Sequence, residues 1–189
     1  MSPGALSLTI AAMRTALRPL AAMAALLSFA APAAEVVKQR APACPAVGDK
    51  APLFSFPQPM AGNDYLSLLS LRKKKRPIVL SFWSHFCEPC KTELPALQRI
   101  AKEWGEKVSV LLIHVGGPEE KMRDELKALK VELPSVIDES AKKSREQYCA
   151  DTLPRVFVLD ARANVRALVG SEGFESNLRA EVGKLLEAK

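Results

Sequence analysis

The residues best suited to chemistry are Cys87 and Cys90, which lie within the segment SFWSHFCEPCKTELP at positions 81–95. Two cysteines at this spacing can hold a metal ion, form a structural disulfide or exchange disulfides with another protein. They follow a near-continuously apolar run at residues 77–83 and precede a stretch with helical periodicity. The pattern therefore predicts two thiols at the point where a buried strand turns into a helix.

A helix N-terminus favours redox chemistry at such a pair. Its free N–H groups and partial positive charge stabilise a thiolate, and can lower a cysteine pKa from ~8.5 into the range of ~3.5–7.5. Cys87 is predicted at the first helical position and more exposed than Cys90, with Pro89 tolerated inside the first turn. We expect Cys87 to attack a substrate disulfide and Cys90 to resolve the mixed disulfide. Glu88, between them, should oppose the thiolate, which favours a reductant over an oxidant.

Glu93 interrupts the apolar face of the predicted helix. At ~100° per residue it lies about 260° from Leu94, inside the arc of the apolar side chains and one turn beyond Cys90. A buried carboxyl group has a raised pKa and can exchange protons near neutral pH. We predict that Glu93 is the acid–base partner of the cysteine pair. The alternative is a glutamate that reaches out to solvent.

A structural zinc site is the least favoured interpretation of these residues. Such sites commonly combine two close pairs of ligands, whereas Cys44 and Cys149 stand alone and His85 and His114 are not spaced as a pair. We therefore expect no metal and no cofactor other than a redox-active disulfide. A copper-binding chaperone that uses the C-x-x-C pair with His85 remains open.

The even number of cysteines has a second consequence if the protein is exported. With the C-x-x-C pair engaged in exchange, Cys44 and Cys149 would either pair with each other or stay free. A free thiol beside a redox centre invites scrambling, so we predict a structural Cys44–Cys149 disulfide. Its Cα atoms should then lie within about 7 Å of each other.

The N-terminus has the features of a secretory signal peptide. Two arginines precede an apolar stretch at residues 20–34, which ends on small residues and is shorter than the ~20 residues needed to span a bilayer. We therefore predict a signal peptide at residues 1–34, a flexible leader at residues 35–46 and one domain at residues 47–189. Cleavage would give a periplasmic or otherwise extracytoplasmic protein, whereas an uncleaved segment would anchor the protein to the membrane.

Composition argues against a nucleic-acid partner. The formal net charge is +6, and aromatic residues make up only 6% of the chain. The densest basic run, residues 72–76, directly precedes an apolar run and is interpreted as a solvated turn that leads into a strand. A polyanion-binding face would need more basic residues with interleaved aromatic side chains.

Hydrophobic periodicity predicts strands that alternate with helices, which is typical of an α/β sheet with parallel neighbours. Short strands or turns are predicted at residues 52–57 and 64–71. Longer strands, of which the last two form a hairpin, are predicted at residues 77–83, 108–115, 135–137, 155–160 and 165–169. Helices are predicted at residues 87–104, 119–130, 139–149 and 175–188.

The segments FWSHFCEPC and KTELP, together with the upstream VGDKAPLFSF, resemble the exported TlpA/ResA-type thiol–disulfide oxidoreductases of the redoxin (AhpC/TSA-like) superfamily. The resemblance covers roughly residues 47–186. It implies a thioredoxin-like fold, a three-layer α/β sandwich with a mixed, mostly parallel central sheet flanked by helices and preceded by an N-terminal extension. It also implies a cis-proline facing the cysteines, at Pro154 in the segment TLP. Ser81 in place of a strand aspartate and Phe86 in place of a tryptophan depart from the family pattern.

The resemblance further implies an enzyme that reduces disulfides in other exported proteins, with electrons from a membrane thiol carrier. Haem-binding cysteines of apocytochrome c and copper-site cysteines of oxidases are typical targets of the family. A thiol peroxidase of the redoxin type is an alternative, although it leaves the C-x-x-C pair unexplained. We expect client proteins with disulfides as partners, and the membrane as a partner only if the N-terminal segment is uncleaved.

Overall fold

The computed structural model describes residues 44–62 and 64–188. In that part of the chain the strands are β1 (Ser55–Gln58), β2 (Asp64–Ser67), β3 (Ile78–Trp83), β4 (Ser109–Val115), β5 (Ser135–Asp138), β6 (Arg155–Leu159) and β7 (Val165–Val169). The helices are α1 (Leu68–Arg72), α2 (Glu88–Trp104), α3 (Glu119–Ala128), α4 (Lys142–Tyr148) and α5 (Phe174–Glu187).

The central sheet has five strands in the order β5-β4-β3-β6-β7. The strands β3, β4 and β5 run parallel, while β6 pairs antiparallel with β3 and β7 pairs antiparallel with β6. Every residue of β3 and of β4 is buried, as expected of near-continuously apolar strands covered on both faces. The expected mixed sheet is confirmed, and its parallel pairing is confined to the half formed by β3, β4 and β5.

Helices cover both faces of this sheet, which gives the expected three-layer architecture. On one face, α2, α3 and α5 pack over Val79 and Leu112. On the other face, α1 and α4 pack over an aromatic group in which the rings of Phe82 and Tyr148 have centroids 4.7 Å apart. Because β3 and β4 are parallel, their carboxyl ends meet at one edge of the sheet, where side chains from both strands can reach a common site.

The segment at residues 64–71, predicted as a strand or turn, is divided between β2 and α1. Ser67 and Ser70 form a capping box at the boundary. The Ser70 N–H donates to Ser67 Oγ at 3.1 Å, and the Ser67 N–H donates to Ser70 Oγ at 3.0 Å. These two hydrogen bonds satisfy the N–H groups of the N-cap and of the third helical residue, which favours the start of a helix after only four residues of strand.

The helix predicted at residues 139–149 begins later, at Lys142. The Asp138 carboxylate accepts the Ser144 N–H at 2.7 Å and so holds the turn that precedes the helix. Ser144 is the third residue of α4, so the carboxylate satisfies one of the free N–H groups in the first turn of this helix. The last strand and the closing helix lie within a residue or two of their predicted limits.

The start of the described chain is tied to the rest of the domain. Cys44 forms a disulfide with Cys149. The Gly48 N–H donates to the Val165 carbonyl at 2.8 Å, and the Val165 N–H donates to the Asp49 carbonyl at 2.8 Å. The segment before β1 therefore runs along β7 instead of extending away from the domain.

The predicted signal peptide at residues 1–34 lies outside the described residues, as does most of the predicted leader at residues 35–46. The described residues belong to one compact unit. Among them, every helix is too short or too polar to cross a bilayer.

Candidate active site

Cys87 ends the loop between β3 and α2. Residues 84–87 form a turn in which the Cys87 N–H donates to the Ser84 carbonyl at 3.0 Å. Cys87 is the N-cap of α2, one residue before the predicted helical position, and its sulfur accepts the Cys90 N–H at 3.3 Å. A thiolate at Cys87 would accept this hydrogen bond more strongly, because its charge would face the positive end of the helix.

Cys87 and Cys90 are joined by a disulfide, with Cα atoms 5.3 Å apart. Cys87 has 9% of its surface exposed, against 1% for Cys90. Cys87 is thus the more accessible of the two sulfurs, and Cys90 lies in the apolar core with Leu94 and Leu97. An incoming sulfur compound reaches Cys87 first, which suits it to the attacking role.

Lys91 modifies the effect expected of Glu88. The Glu88 side chain is 81% exposed, and the Lys91 ammonium donates to it at 2.9 Å. The same ammonium lies 3.7 Å from the carboxylate of Glu125 in α3. The hydrogen bond to Glu88 is the main cause of a raised Lys91 pKa. A solvated and paired Glu88 opposes a thiolate less than the sequence alone predicts.

Glu93 lies on the buried face of α2, one turn after Cys90, with 7% of its surface exposed. Neither of its carboxylate oxygens has a hydrogen-bond partner among the described residues. Burial raises the pKa of this carboxyl group, and the neighbouring Ser171 side chain opposes the rise only in part. The predicted burial is thus observed, and the alternative of a glutamate that reaches into solvent is wrong.

The Leu153–Pro154 peptide bond is cis and immediately precedes β6. Since β6 pairs with β3 so that Arg155 lies opposite Phe82, Pro154 lies at the edge of the sheet where β3 ends and the cysteine turn begins. Phe86, in that turn, has 68% of its surface exposed. The proline loop and the cysteine turn therefore share one edge of the domain, with an exposed aromatic ring between the buried strand and Cys87.

The structure brings together the two histidines, which are far apart in sequence. Because β3 and β4 are parallel, Trp83 lies opposite His114, and the turn after Trp83 brings His85 onto His114. His85 Nδ1 and His114 Nε2 are 3.1 Å apart, and the two rings stack with centroids 5.3 Å apart. Alignment of the carboxyl ends of the predicted strands at residues 77–83 and 108–115 is the signal that could have found this pair.

Both imidazoles favour their neutral forms. Burial, and secondarily the charge of His85, lowers the pKa of His114 to about 4. Burial also lowers the pKa of His85, with smaller effects from charged side chains of α2 and α3. The uncharged form of the pair is therefore favoured at pH 7. Within residues 44–62 and 64–188, no three His, Cys, Asp or Glu side chains are arranged to hold a metal ion.

A second disulfide joins Cys44 to Cys149, with Cα atoms 5.5 Å apart, inside the limit of about 7 Å for such bonds. Cys149 follows α4 in a left-handed conformation, with φ of 52°. The neighbouring Tyr148 hydroxyl donates to the Pro52 carbonyl. A covalent bond and a hydrogen bond thus tie the beginning of the domain to the end of α4.

The cysteine pair, Glu93 and Pro154 lie within a segment that matches a known protein family. Residues 47–168 match the model of the AhpC/TSA family. The chain belongs to the AhpC/TSA family. The resemblance stated from the sequence motifs is therefore confirmed at the level of family.

Two curated relatives of this AhpC/TSA-family chain come from Bacillus subtilis (strain 168). Its thiol-disulfide oxidoreductase ResA is 27% identical over 104 residues, which are 54% of this chain and 58% of that protein. Its sporulation thiol-disulfide oxidoreductase A is 29% identical over 101 residues, which are 51% of this chain and 61% of that protein. The chain spans less than two thirds of the length of the curated relatives it matches.

A solved structure confirms the fold. The thioredoxin domain of a thiol-disulfide oxidoreductase from Bacteroides vulgatus superimposes with a TM-score of 0.64 at 18% identity. The superposition covers 72% of this chain and 98% of that domain. The AhpC/TSA-family chain therefore has a thioredoxin-like fold.

Proposed function

We propose that this protein is a thiol–disulfide oxidoreductase that reduces disulfides in client proteins. The observation that carries the proposal is the Cys87–Cys90 disulfide at the N-terminus of α2, with the more exposed sulfur at the N-cap. The N-terminus of a helix stabilises a thiolate at Cys87. A second thiol one turn further in is suited to resolving a mixed disulfide.

The reaction starts from the reduced pair. The Cys87 thiolate attacks one sulfur of a client disulfide, forms a mixed disulfide and releases the other client sulfur as a thiolate, which takes up a proton. The Cys90 thiolate then attacks the Cys87 sulfur, which re-forms the Cys87–Cys90 bond and releases the second client thiolate. Two electrons pass from the cysteine pair to the client, and the client gains two protons.

Glu93 acts in the second step as the acid–base group. Cys90 is buried among apolar side chains, so its thiol stays protonated until a base removes the proton. Glu93 lies one turn further along the same buried face, and among the described residues no hydrogen bond competes for its oxygens. Burial raises its pKa, which makes it a better proton acceptor than an exposed glutamate.

The charges around the pair favour the reduction of clients over their oxidation. The strongest oxidants of this kind stabilise their reduced form, for which a cationic neighbour of the thiolate is an effective means. Here Glu88 occupies the first helical position, and the Lys91 ammonium is held by Glu88 and Glu125. With neutral imidazoles nearby as well, the Cys87 thiolate gains no unpaired positive neighbour from these groups.

The proposed setting is an oxidising, extracytoplasmic compartment. The Cys44–Cys149 bond supports this setting, since disulfides persist chiefly outside the cytosol. The apolar stretch at residues 20–34 would direct export, with cleavage releasing the protein and retention anchoring it. By resemblance, the clients belong to cytochrome c maturation or to oxidase copper-site assembly, and a membrane thiol carrier supplies the electrons.

Family membership favours a thiol peroxidase as the second candidate. In that reaction the Cys87 thiolate would attack a peroxide, break its O–O bond and become a sulfenic acid, with the other oxygen leaving as an alcohol or water. The Cys90 thiol would then convert the sulfenic acid to the observed disulfide with release of water. The two candidates share the same pair of cysteines. They differ in the oxidant, which is a client disulfide in one case and a peroxide in the other.

A trapping experiment tests the proposal. Cys90→Ser removes the resolving thiol, so Cys87 should stay bonded to its client, which mass spectrometry of an extracytoplasmic extract would identify. Cys87→Ser is the matched control and should capture nothing. Rapid peroxide consumption by the wild type, with no captured client and no reduction of a small disulfide, would overturn the reductase proposal in favour of the peroxidase.

A further inference from the structure

His114 is a buried polar side chain whose hydrogen-bonding partner is another histidine. It lies on β4 with 0% of its surface exposed, and its Nε2 lies 3.1 Å from His85 Nδ1. The Trp83 ring packs against its other side, edge to face, with centroids 4.8 Å apart. Its Nδ1 is buried without a partner among the described residues.

This environment determines which nitrogen carries the proton in the hydrogen bond between the two rings. If His114 carried its proton on Nδ1, a buried N–H would have no acceptor, which folded proteins largely avoid. With the proton on Nε2, His114 donates to His85 Nδ1, and only a lone pair is left without a partner. His85 in turn holds its proton on Nε2. Protonation of His85 at Nδ1 would place two N–H groups against each other and break the hydrogen bond.

His85 is held from the opposite side as well. Gly117 has φ of +84°, and a Cβ atom at this position would lie 2.7 Å from His85 Cε1. The Phe86 ring lies against His85 with centroids 4.0 Å apart. The half-buried imidazole of His85 is thus contacted by the loop after β4, the His114 ring and the exposed Phe86.

The turn that carries His85 is the turn that ends on Cys87. His85 occupies its second position, and the Cys87 N–H closes the turn on the Ser84 carbonyl. A side chain fixed at this position therefore restrains the backbone on which Cys87 serves as N-cap. Loss of that restraint would weaken the contact between Cys87 Sγ and the Cys90 N–H, which lies at 3.3 Å.

Three charged side chains face the histidine pair from the helices packed beside it. These are Lys91 of α2 and Lys121 and Glu125 of α3. Burial is the main cause that disfavours the protonated form of His85; Lys121 and, less strongly, Lys91 add to it, while Glu125 opposes it. The Glu125 carboxylate also lies 3.7 Å from the Lys91 ammonium, so the negative charge of Glu125 acts on both Lys91 and His85.

We propose that His114 is a positioning residue that, through its hydrogen bond to His85, fixes the turn of residues 84–87 and so sets the reactivity of Cys87. The inference rests on the proposed disulfide-exchange function, because it concerns the thiol that starts that reaction. It assigns a role to a histidine pair that takes no direct part in the sulfur chemistry.

The rate of alkylation of Cys87 by iodoacetamide, measured from pH 4 to pH 9, tests the proposal. A Cys90→Ser background leaves one thiol at the site. His114→Phe keeps a ring against Trp83 but removes the hydrogen bond, and His85→Gln removes the titrating group. Tyr148→Phe is the matched control, because it removes one part-buried hydrogen bond on the opposite face of the sheet. Thermal unfolding verifies that each variant is folded.

We expect His114→Phe to slow alkylation at pH 7 roughly fivefold, a coupling typical of residues in contact. His85→Gln should slow it similarly, and the double variant should be no slower than either single variant. In His114→Phe the released His85 should add an inflection near ~6.5 to the pH profile, which disappears when His85→Gln is combined with it. His114→Gln, which can still form a hydrogen bond, should retain most of the wild-type rate.

Additive effects of the two substitutions, or a rate unchanged by His114→Phe, would overturn the inference. A loss of reactivity in Tyr148→Phe equal to that in His114→Phe would reduce the role of His114 to general stability and would also overturn it. Failure of the proposed function has a different signature. In that case the Cys87 of the background protein would itself titrate near ~8.5 and capture no client.

Discussion

Cys90 and Glu93 lie one helical turn apart on the buried face of α2, and the carboxyl group of Glu93 has no hydrogen-bond partner among the described residues. A carboxyl group in such a place favours its protonated form. It is therefore available for proton exchange with a neighbouring thiol and unfavourable for stability when it is charged. Catalysis and pH-dependent stability should both depend on this one side chain.

Replacement of Glu93 by glutamine should slow disulfide exchange while the fold stays intact. The amide fills the same volume but cannot accept the proton of Cys90, so we expect a fall of roughly a hundredfold at pH 7. Stopped-flow kinetics with a small disulfide across pH 4 to 9 would measure it. The wild-type profile should show a titration above the ordinary glutamate value of ~4.3, and the variant should lack it.

Glu103→Gln is the matched control for this experiment. Glu103 also lies on α2, but its side chain is 56% exposed and bonded to Arg179 at 2.6 Å. Its replacement should leave the exchange rate unchanged. Overlapping pH–rate profiles for Glu93→Gln and the wild type would return Glu93 to a purely structural role.

Glu93→Gln should also change how stability depends on pH. The pKa of Glu93 is raised in the folded protein, so its folded state binds the proton more tightly than the unfolded chain does. The contribution of this group to wild-type stability is therefore full below its pKa in the unfolded chain. It is lost as pH rises through its pKa in the folded protein. The variant lacks this loss, so its free energy of unfolding relative to that of the wild type should increase from pH 4 to pH 7. Urea unfolding at both pH values measures it, and a difference that stays constant would contradict the prediction.

Removal of the second disulfide should cost stability and leave exchange unaffected. The double substitution Cys44→Ala and Cys149→Ala opens a link between residues 105 apart in sequence. We expect the free energy of unfolding to fall by ~2–4 kcal/mol, and by no more than ~5 kcal/mol in the chain-entropy model. Urea unfolding under non-reducing conditions measures the loss. A large fall in the rate of disulfide exchange would contradict the prediction and mean that the Cys44–Cys149 bond shapes the active site.

The redox potential of the Cys87–Cys90 pair should lie nearer ~−270 mV than ~−120 mV. Glu88→His should raise it, because an imidazolium at the first helical position would stabilise the reduced, thiolate form. Lys91→Gln should shift it the other way, since it leaves the Glu88 charge unpaired. Equilibration against glutathione gives all three values. A wild-type potential above roughly −150 mV would reverse the proposed direction of electron flow.

Much of this architecture is predictable from local patterns. The buried strands β3 and β4 are almost wholly apolar, and the cysteine helix has an apolar face on which Glu93 is the exception. These features depend on residues that are close together in sequence, so hydrophobic periodicity predicts them. The position of Cys87 was missed by one residue, because N-cap and first helical position differ only in backbone geometry.

Other features depend on contacts that periodicity does not encode. The five-residue helix α1 is too short for a periodic signal, and its capping box of Ser67 and Ser70 lacks the usual acidic partner. The His85–His114 pair arises from the register of two parallel strands separated by a long helix. The pairing of Lys91 with Glu125 likewise requires α2 and α3 to be docked, whereas its pairing with Glu88 lies within α2.

The two disulfides are nested, with Cys87 and Cys90 enclosed between Cys44 and Cys149. A chain that enters an oxidising compartment from its N-terminus presents Cys44, then Cys87 and Cys90, and Cys149 last. Oxidation in order of emergence would therefore join Cys44 to a catalytic cysteine and trap a non-native bond. Correct maturation requires the domain to fold before it is oxidised, or a disulfide isomerase to reshuffle the early pairing. A protein proposed to reduce the disulfides of others would thus need either early folding or disulfide exchange by another protein for its own assembly.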